Sequence, residues 1–211
     1  HRDLHSFPTR RSSDLAVAKE ARSTGSNHMC TLVIEPNRDP RMGRNCEGYS
    51  EDVYLCSQIA EAIVSGAQGG NIADQDKAVA VLSHFPGQTQ PVSGLENGEQ
   101  EISDRTLREV FLPPWVAGIK KAGALGIMAT YPAIDGVPTH ASEKLLTSIL
   151  RGELGFEGLV LSEGSGISYL IRDHVVSNQA EAGAIALKSG VDVGISYEKA
   201  YMESMAENIQ E

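Results

Sequence analysis

Met29-Cys-Thr-Leu-Val-Ile34 is a short apolar run that breaks off at Glu35-Pro-Asn-Arg38. A run this short, with no polar alternation, reads as a strand buried on both faces, with its chemistry gathered at its C-terminal end. The same pattern returns along the chain. Ala78–Leu82 leads into Ser83 and His84, Leu125–Thr130 into Tyr131, and Gly158–Leu161 into Ser162 and Glu163. Val191–Ile195 is the fifth such run.

Helical patterns separate the strands: Ala16–Arg22, Glu51–Gly66, Arg105–Ala122, Ser142–Arg151, Gln179–Ser189 and a last one over Tyr197–Gln210. Ser103-Asp104 is a capping signal for the third of these. Pro113-Pro114 inside it predicts a kink or a split. A Gly/Pro/Gln-rich loop fills Pro86–Glu101. Strands alternating with helices predict an α/β fold with a parallel sheet. An open doubly wound sheet and a barrel both satisfy that pattern. Polar side chains at nearly every strand end favour the barrel, whose site is assembled from several strands at that face. The expectation is an incomplete TIM-type (β/α)8 barrel of about five parallel strands. Gly66-Ala-Gln-Gly69-Gly70 follows a helix rather than a strand and fails the phosphate-loop pattern.

Composition narrows the partners. The chain has 211 residues, 41% hydrophobic and 22% charged, the balance of an ordinary globular domain. Its formal charge is −10, and Lys/Arg do not cluster beyond the first dozen residues, which argues against nucleic acid and anionic membrane. No apolar run approaches the ~20 residues that span a bilayer. Cys30, Cys46 and Cys56 lack the close pairs of a zinc site and read as thiols rather than a disulfide. Residues 1–15 are set aside: His5 to Leu15 resembles the in-frame translation of a sequencing-library adapter, or else a Ser/Arg-rich disordered arm. Residues 16–211 form the expected domain, and residues 1–15 themselves lack the apolar core of a signal peptide.

Taken alone, the strand ends offer carboxylates, an Arg, a His and a Tyr. That set suits carbohydrate: a guanidinium and carboxylates bind hydroxyls, and a strand-end carboxylate attacks an anomeric carbon. Each residue singly fits a solvated or salt-bridged role equally well. Spacing and composition therefore support only an α/β enzyme of unspecified chemistry.

A resemblance carries the reading further. Asn37-Arg-Asp-Pro-Arg-Met-Gly-Arg44 with Glu47 and Glu51-Asp52 resembles the glycoside hydrolase family 3 signature "RDPRWGR…E…GEDP". Ser83-His-Phe-Pro-Gly87 resembles its "KHFxG", and Ile102–Pro114 its "ISERxLREVYLPPF". Ala129-Thr-Tyr-Pro132 looks like "SAYN", Asp135–His140 and Leu150–Gly158 resemble the approach to the nucleophile, and Leu159-Val-Leu-Ser-Glu163 stands at "fVvSD". The matches run in order from about residue 16 to 195.

The resemblance implies a retaining exo-acting β-glycosidase, of β-glucosidase or β-xylosidase type, with an oligosaccharide or β-glycoside substrate and no cofactor or metal. It places Glu163 at the nucleophile and Arg44, His84, Ser83, Met128 and Tyr131 in the sugar-binding set; Asp39 and Arg41 are read as bracing their loop. It also favours a periplasmic or secreted setting, and leaves oligomeric state open.

Several positions depart from the family. Glu35 stands for an Asp, Met42 for a Trp, Ser83 for the Lys, Pro132 for the Asn, and Glu163 for the nucleophilic Asp. The extra methylene of Glu163 extends its reach by ~1.5 Å, and a misplacement near 1 Å costs on the order of 10²-fold. The loop Pro86–Glu101 lacks the Asp-x-His acid of the branch that cleaves N-acetylglucosaminides, and Glu96, Glu99 and Glu101 are read as solvated loop charges. The acid/base is expected from a segment outside this sequence. The rival expectation is a catalytically degenerate barrel that binds glycan or serves as a scaffold.

Overall fold

The computed structural model describes residues 6–195 together with Ala200 and Tyr201. Four parallel strands form one sheet in chain order: β1 (His28–Val33), β2 (Val79–Phe85), β3 (Gly126–Ala129) and β6 (Leu159–Ser162). A two-stranded hairpin, β4 (Ala133–Ile134) with β5 (Val137–Pro138), projects after β3. Strand order that follows chain order, with helices between, is the winding of a (β/α)8 barrel. The strands lie within one to three residues of the apolar runs that announced them.

The fifth run, Val191–Ile195, lies beside β6 and bridges it at Leu161 and Val193. Its pairing stays short because a side chain takes part of the ladder: Asp192 Oδ2 accepts from Val160 N at 2.7 Å. Arg151 holds the same carboxylate oxygen at 2.7 Å.

Helix α1 (Ser6–Ser23) starts ten residues before the expected Ala16 and packs against α2 (Val53–Gln68), burying Asp14 and Ala18. Asp52 caps α2 by accepting from Leu55 N at 2.6 Å. The helix α3, residues 104–121, is capped by Ser103, which accepts from Thr106 N at 3.1 Å. It is not split at Pro113-Pro114. It widens instead, with π turns at Leu107–Phe111 and Ala117–Lys121 on either side of an α segment Leu112–Val116. The prolines delete two N–H donors, and the wider turns re-pair neighbouring carbonyls without breaking the rod. Helix α4 (Lys144–Glu153) and helix α6 (Gln179–Ser189) fall where the sequence placed them, and a short α5 (Gly166–Arg172) follows β6 unannounced. The helix expected over Tyr197–Gln210 lies, apart from Ala200 and Tyr201, outside the described residues.

Alternation along the strands sorts side chains into two layers. One face, with Leu82, Phe85, Ile127 and Val160, meets Trp115 and Phe111 of α3; Phe85 and Trp115 cross edge to face at 5.1 Å. The other face carries a small apolar layer of Val81, Met128 and Leu161 beside Cys30. The three cysteines are free thiols.

Candidate active site

The loop after β1 is built to deliver a guanidinium. Asp39 accepts from Arg41 N at 2.9 Å and grips the Arg41 side chain, closing a tight turn at Pro40–Met42. Gly43 then adopts φ 81°, a left-handed turn that glycine enters without a Cβ clash. Asn37 N donates to Ser50 O and Asp39 N to Thr89 O, so the loop is tied at both ends. Asp39 and Arg41 brace this loop, and Arg44 emerges from it.

Arg44 is the hub. Its Nε and Nη2 form a two-point fork with Glu47 at 2.8 and 2.7 Å. Its Nη1 donates to Glu163 Oε1 at 2.7 Å and to Glu96 Oε1. His84 Nε2 lies 3.2 Å from Arg44 Nη2 and 3.1 Å from Glu163 Oε1. The register of β2 on β3 shifts between Leu82 and Phe85, an irregularity of the kind that re-aims a side chain, and His84 sits inside it.

Glu163, at the end of β6, is held on all sides. Oε1 also receives Gln88 Nε2 at 3.3 Å, and Oε2 receives the backbone N–H of Tyr131 at 3.0 Å. The Tyr131 hydroxyl donates to Gly164 O at 2.8 Å and clamps the loop that follows. Its ring lies 5.0 Å from that of Tyr169 on α5.

Burial governs the protonation states. Glu163 is 4% exposed, and desolvation lifts its pKa to about 7 against the opposing pull of Arg44. His84 is pushed down to about 3, first by burial and then by the Arg44 charge, so it is a neutral imidazole. Burial also works against the Arg44 charge, yet the hydrogen bonds to Glu47 and Glu163 outweigh it and keep the guanidinium firmly protonated. A guanidinium only donates, so the contact with Arg44 Nη2 makes His84 Nε2 the acceptor and puts the imidazole proton on Nδ1, a buried donor with no partner among the described residues; the Thr130 hydroxyl beside Tyr131 is likewise unpaired.

The expected set is only partly assembled here. Glu163, Arg44, His84 and Tyr131 converge. Ser83 is fully buried on the inner layer, its hydroxyl 3.5 Å from Cys30 O and Val81 O and 4.0 Å from Met128 Sδ. No described hydrogen bond joins Ser83 or Met128 to Glu163. Ser83 shares the strand parity of Val81, and a side chain as short as serine does not reach from that layer to the carboxylate.

Glu35, a strand-end carboxylate, turns away from the cluster. It accepts from Gly87 N at 2.5 Å, Gln88 N at 2.9 Å and Trp115 Nε1 at 3.3 Å, and so anchors the loop that carries Gln88. Arg38 is exposed. Glu96 corrects the reading of the loop acids: it is drawn onto Arg44, whereas Glu101 is exposed and Glu99 accepts from Gly136 N at 2.8 Å. Gln88 carried no sequence signal. For Glu96 the signal was an acid in the loop after a strand-end His, which composition alone makes a surface charge.

A groove of about 920 Å³ lies elsewhere, between the 99–104 loop, the β4–β5 hairpin and the start of α4. It shares no residue with the Glu163 cluster. Among the described residues, no group of three His, Cys, Asp or Glu side chains is placed to hold a metal ion.

The sequence matches the family described as "Glycosyl hydrolase family 3 N terminal domain" over residues 11–211. It is 37% identical to a β-xylosidase of Formosa agariphila over 85% of this chain and 25% of that protein. The fold superposes with a TM-score of 0.89 on a β-glucosidase of Erythrobacter marinus, at 34% identity, covering 96% of this chain and 27% of that one. A mutant β-glucosidase of Listeria innocua in complex with laminaribiose gives 0.90 at 28% identity, with 97% and 28% covered. The chain thus spans about a quarter of the length of the relatives it matches. A barrel-type sheet, a strand-end carboxylate in the grip of an Arg beside a His, and a match over nearly the whole sequence lead to one assignment: this chain belongs to glycoside hydrolase family 3, within its N-terminal domain.

Proposed function

We propose that this chain supplies the sugar-binding, nucleophile-bearing part of a retaining exo-acting β-glycosidase. Its substrates are terminal, non-reducing β-linked glucosides or xylosides, in line with the β-glucosidases and β-xylosidases it resembles. The observation that carries the reading is the buried Glu163 carboxylate at the end of β6, fixed by Arg44, Gln88 and the Tyr131 N–H.

In the first step a Glu163 oxygen bonds to the anomeric carbon while the bond from that carbon to the leaving oxygen breaks. The leaving oxygen takes a proton from a general acid supplied by a segment outside this chain. In the second step water gives a proton back to that group and attacks the same carbon, and the Glu163 ester bond breaks. Two inversions leave the β configuration intact. Arg44 and the Tyr131 N–H hold the departing carboxylate in place.

The test uses the longest reading frame that contains this sequence, with aryl β-glucoside and β-xyloside substrates followed by proton NMR. The reading predicts hydrolysis with the β-anomer as first-formed sugar. An α-anomer appearing first contradicts retention, and silence toward both sugars contradicts the activity.

A further inference from the structure

The Arg44 cluster holds more negative charge than its stated task needs. Glu47 alone satisfies two guanidinium positions, and Glu163 takes Nη1. Glu96 crowds onto the same Nη1 from a loop fifty-two positions away. Three carboxylates thus surround one cation, with a neutral imidazole as their other neighbour. Such an arrangement is over-acidic by itself, and it is relieved by a ligand that brings hydroxyl donors and no charge.

Glu96 is also held in place rather than swinging free. It occupies the second position of a tight turn closed by Gly98 N donating to Leu95 O at 2.8 Å. The turn is tied by Val92 N to Glu99 O at 2.9 Å, by Gln90 N to Gln100 Oε1 at 3.1 Å and by Gln100 N to Ala133 O at 2.8 Å. Gly94, at φ 74°, lets the loop press onto Arg41, where an added Cβ would stand 2.6 Å from the Arg41 Cβ. The braced Arg41 turn therefore sets the height of Glu96 above Arg44. A third of the Glu96 side chain remains open, at 34% exposure, which leaves its second oxygen accessible.

We propose that Glu96 is a specificity-determining residue of the sugar pocket: Arg44, whose five N–H groups are all engaged, holds one Glu96 oxygen, and the other accepts from a ring hydroxyl. The inference rests on the glycosidase reading above and adds to it a residue outside the sugar-binding set that the family resemblance implied.

The experiment compares the parent enzyme with Glu96→Gln and Glu96→Asp, again in the longest reading frame. Substrates are an aryl β-glycoside and its mono-deoxy analogues, one per ring hydroxyl, with melting curves to confirm folding. Glu96→Gln is expected to raise KM by about tenfold to a hundredfold, the loss for a hydrogen bond to a charged group, with kcat changed far less. One deoxy analogue, already poor for the parent enzyme, loses nothing further in the variant. A kcat/KM unchanged on every substrate overturns the proposal in favour of a solvated charge. An equal loss on every analogue overturns it in favour of a purely structural brace on Arg44. A kcat lost only for poor leaving groups, and restored by azide, overturns it in favour of an acid/base role.

Calorimetry with the matching neutral aldonolactone separates this proposal from the reading beneath it. If the parent enzyme hydrolyses nothing, the glycosidase reading fails. Weaker lactone binding by Glu96→Gln then still supports a sugar contact, and equal binding, or none, overturns it.

Discussion

Arg44 Nη1 meets Glu163 Oε1 at 2.7 Å across 119 positions of sequence, joining the loop after β1 to the end of β6. The same guanidinium forks onto Glu47 and touches His84 and Glu96, so its planar geometry organises four partners at once. Lysine keeps the charge but not the fork. Arg44→Lys should raise KM for an aryl β-glycoside by about tenfold or more, corresponding to one or two lost charge-assisted hydrogen bonds. Steady-state kinetics with an intact melting curve check this; an unchanged KM would mean that the fork has no part in binding.

The raised pKa of Glu163 has a kinetic signature. A nucleophile must be ionised, and the acid limb of kcat/KM reports the free enzyme. Burial lifts Glu163 to about 7, so activity should fall as pH drops through about 7 rather than through the ordinary carboxylate range near 4.5. Arg44 is the cation that opposes this lift, so Arg44→Gln should move the limb to higher pH. A limb that moves down in that variant would contradict the arrangement.

Glu35 has a stability signature. It is fully buried, and desolvation raises it from 4.5 to about 8 despite three donors aimed at its oxygens. A folded-state pKa above the unfolded value means that the folded state binds the proton more tightly. The stabilisation is therefore complete below about 4.5 and is lost as pH rises through about 8. Urea melts at about pH 5 and about pH 8 should show the enzyme weaker at the higher pH. Glu35→Gln should flatten that slope at a cost of about 1–3 kcal/mol, because an amide NH₂ faces the donors that a carboxyl oxygen accepted.

Gly166 opens α5 directly behind the Glu163 loop, and an added Cβ there would lie 2.4 Å from His140 Cε1. His140 is 1% exposed and has no room to retreat. Gly166→Ala should cost about 1–3 kcal/mol as an overpacked site. Adding His140→Ala should cost less than the sum of the two single changes, because they share one clash. Strict additivity in chemical denaturation would show that the ring yields.

Much of the scaffold was legible because buried strands advertise themselves. Met29–Ile34 and Leu159-Val-Leu-Ser162 are apolar on both faces and stop at charged residues, a pattern of few alternatives. The helix over Gln179–Ser189 was equally plain, and in the structure Asn178 caps it by accepting from Glu181 N. What was not legible depended on contacts made at a distance. Ser83 sat next to His84 in sequence, yet strand parity sent its hydroxyl into the layer of Val81 and Met128. Glu35 looked like a site acid until Trp115 and the Gly87-Gln88 backbone claimed it. Glu96 looked like one loop charge among three until the loop folded back onto Arg44. The π turns flanking Pro113-Pro114 and the single bridge at Val193 likewise depend on hydrogen-bond choices that no local pattern encodes.

The central claim is that Glu163 forms the covalent bond to sugar, although the family places a shorter Asp there. Its Oε1 and Oε2 are held by three donors at 2.7–3.3 Å, which fixes the longer side chain against the strand ends. The most direct test incubates the longest reading frame with a 2-deoxy-2-fluoro β-glucoside, or the matching xyloside, bearing an activated leaving group, and maps the adduct by peptide mass. Such a substrate needs little help from a general acid, so it isolates the nucleophile. The account predicts a fluorosugar ester on Glu163, absent in Glu163→Gln. An adduct on another residue, or none with either sugar, would contradict it.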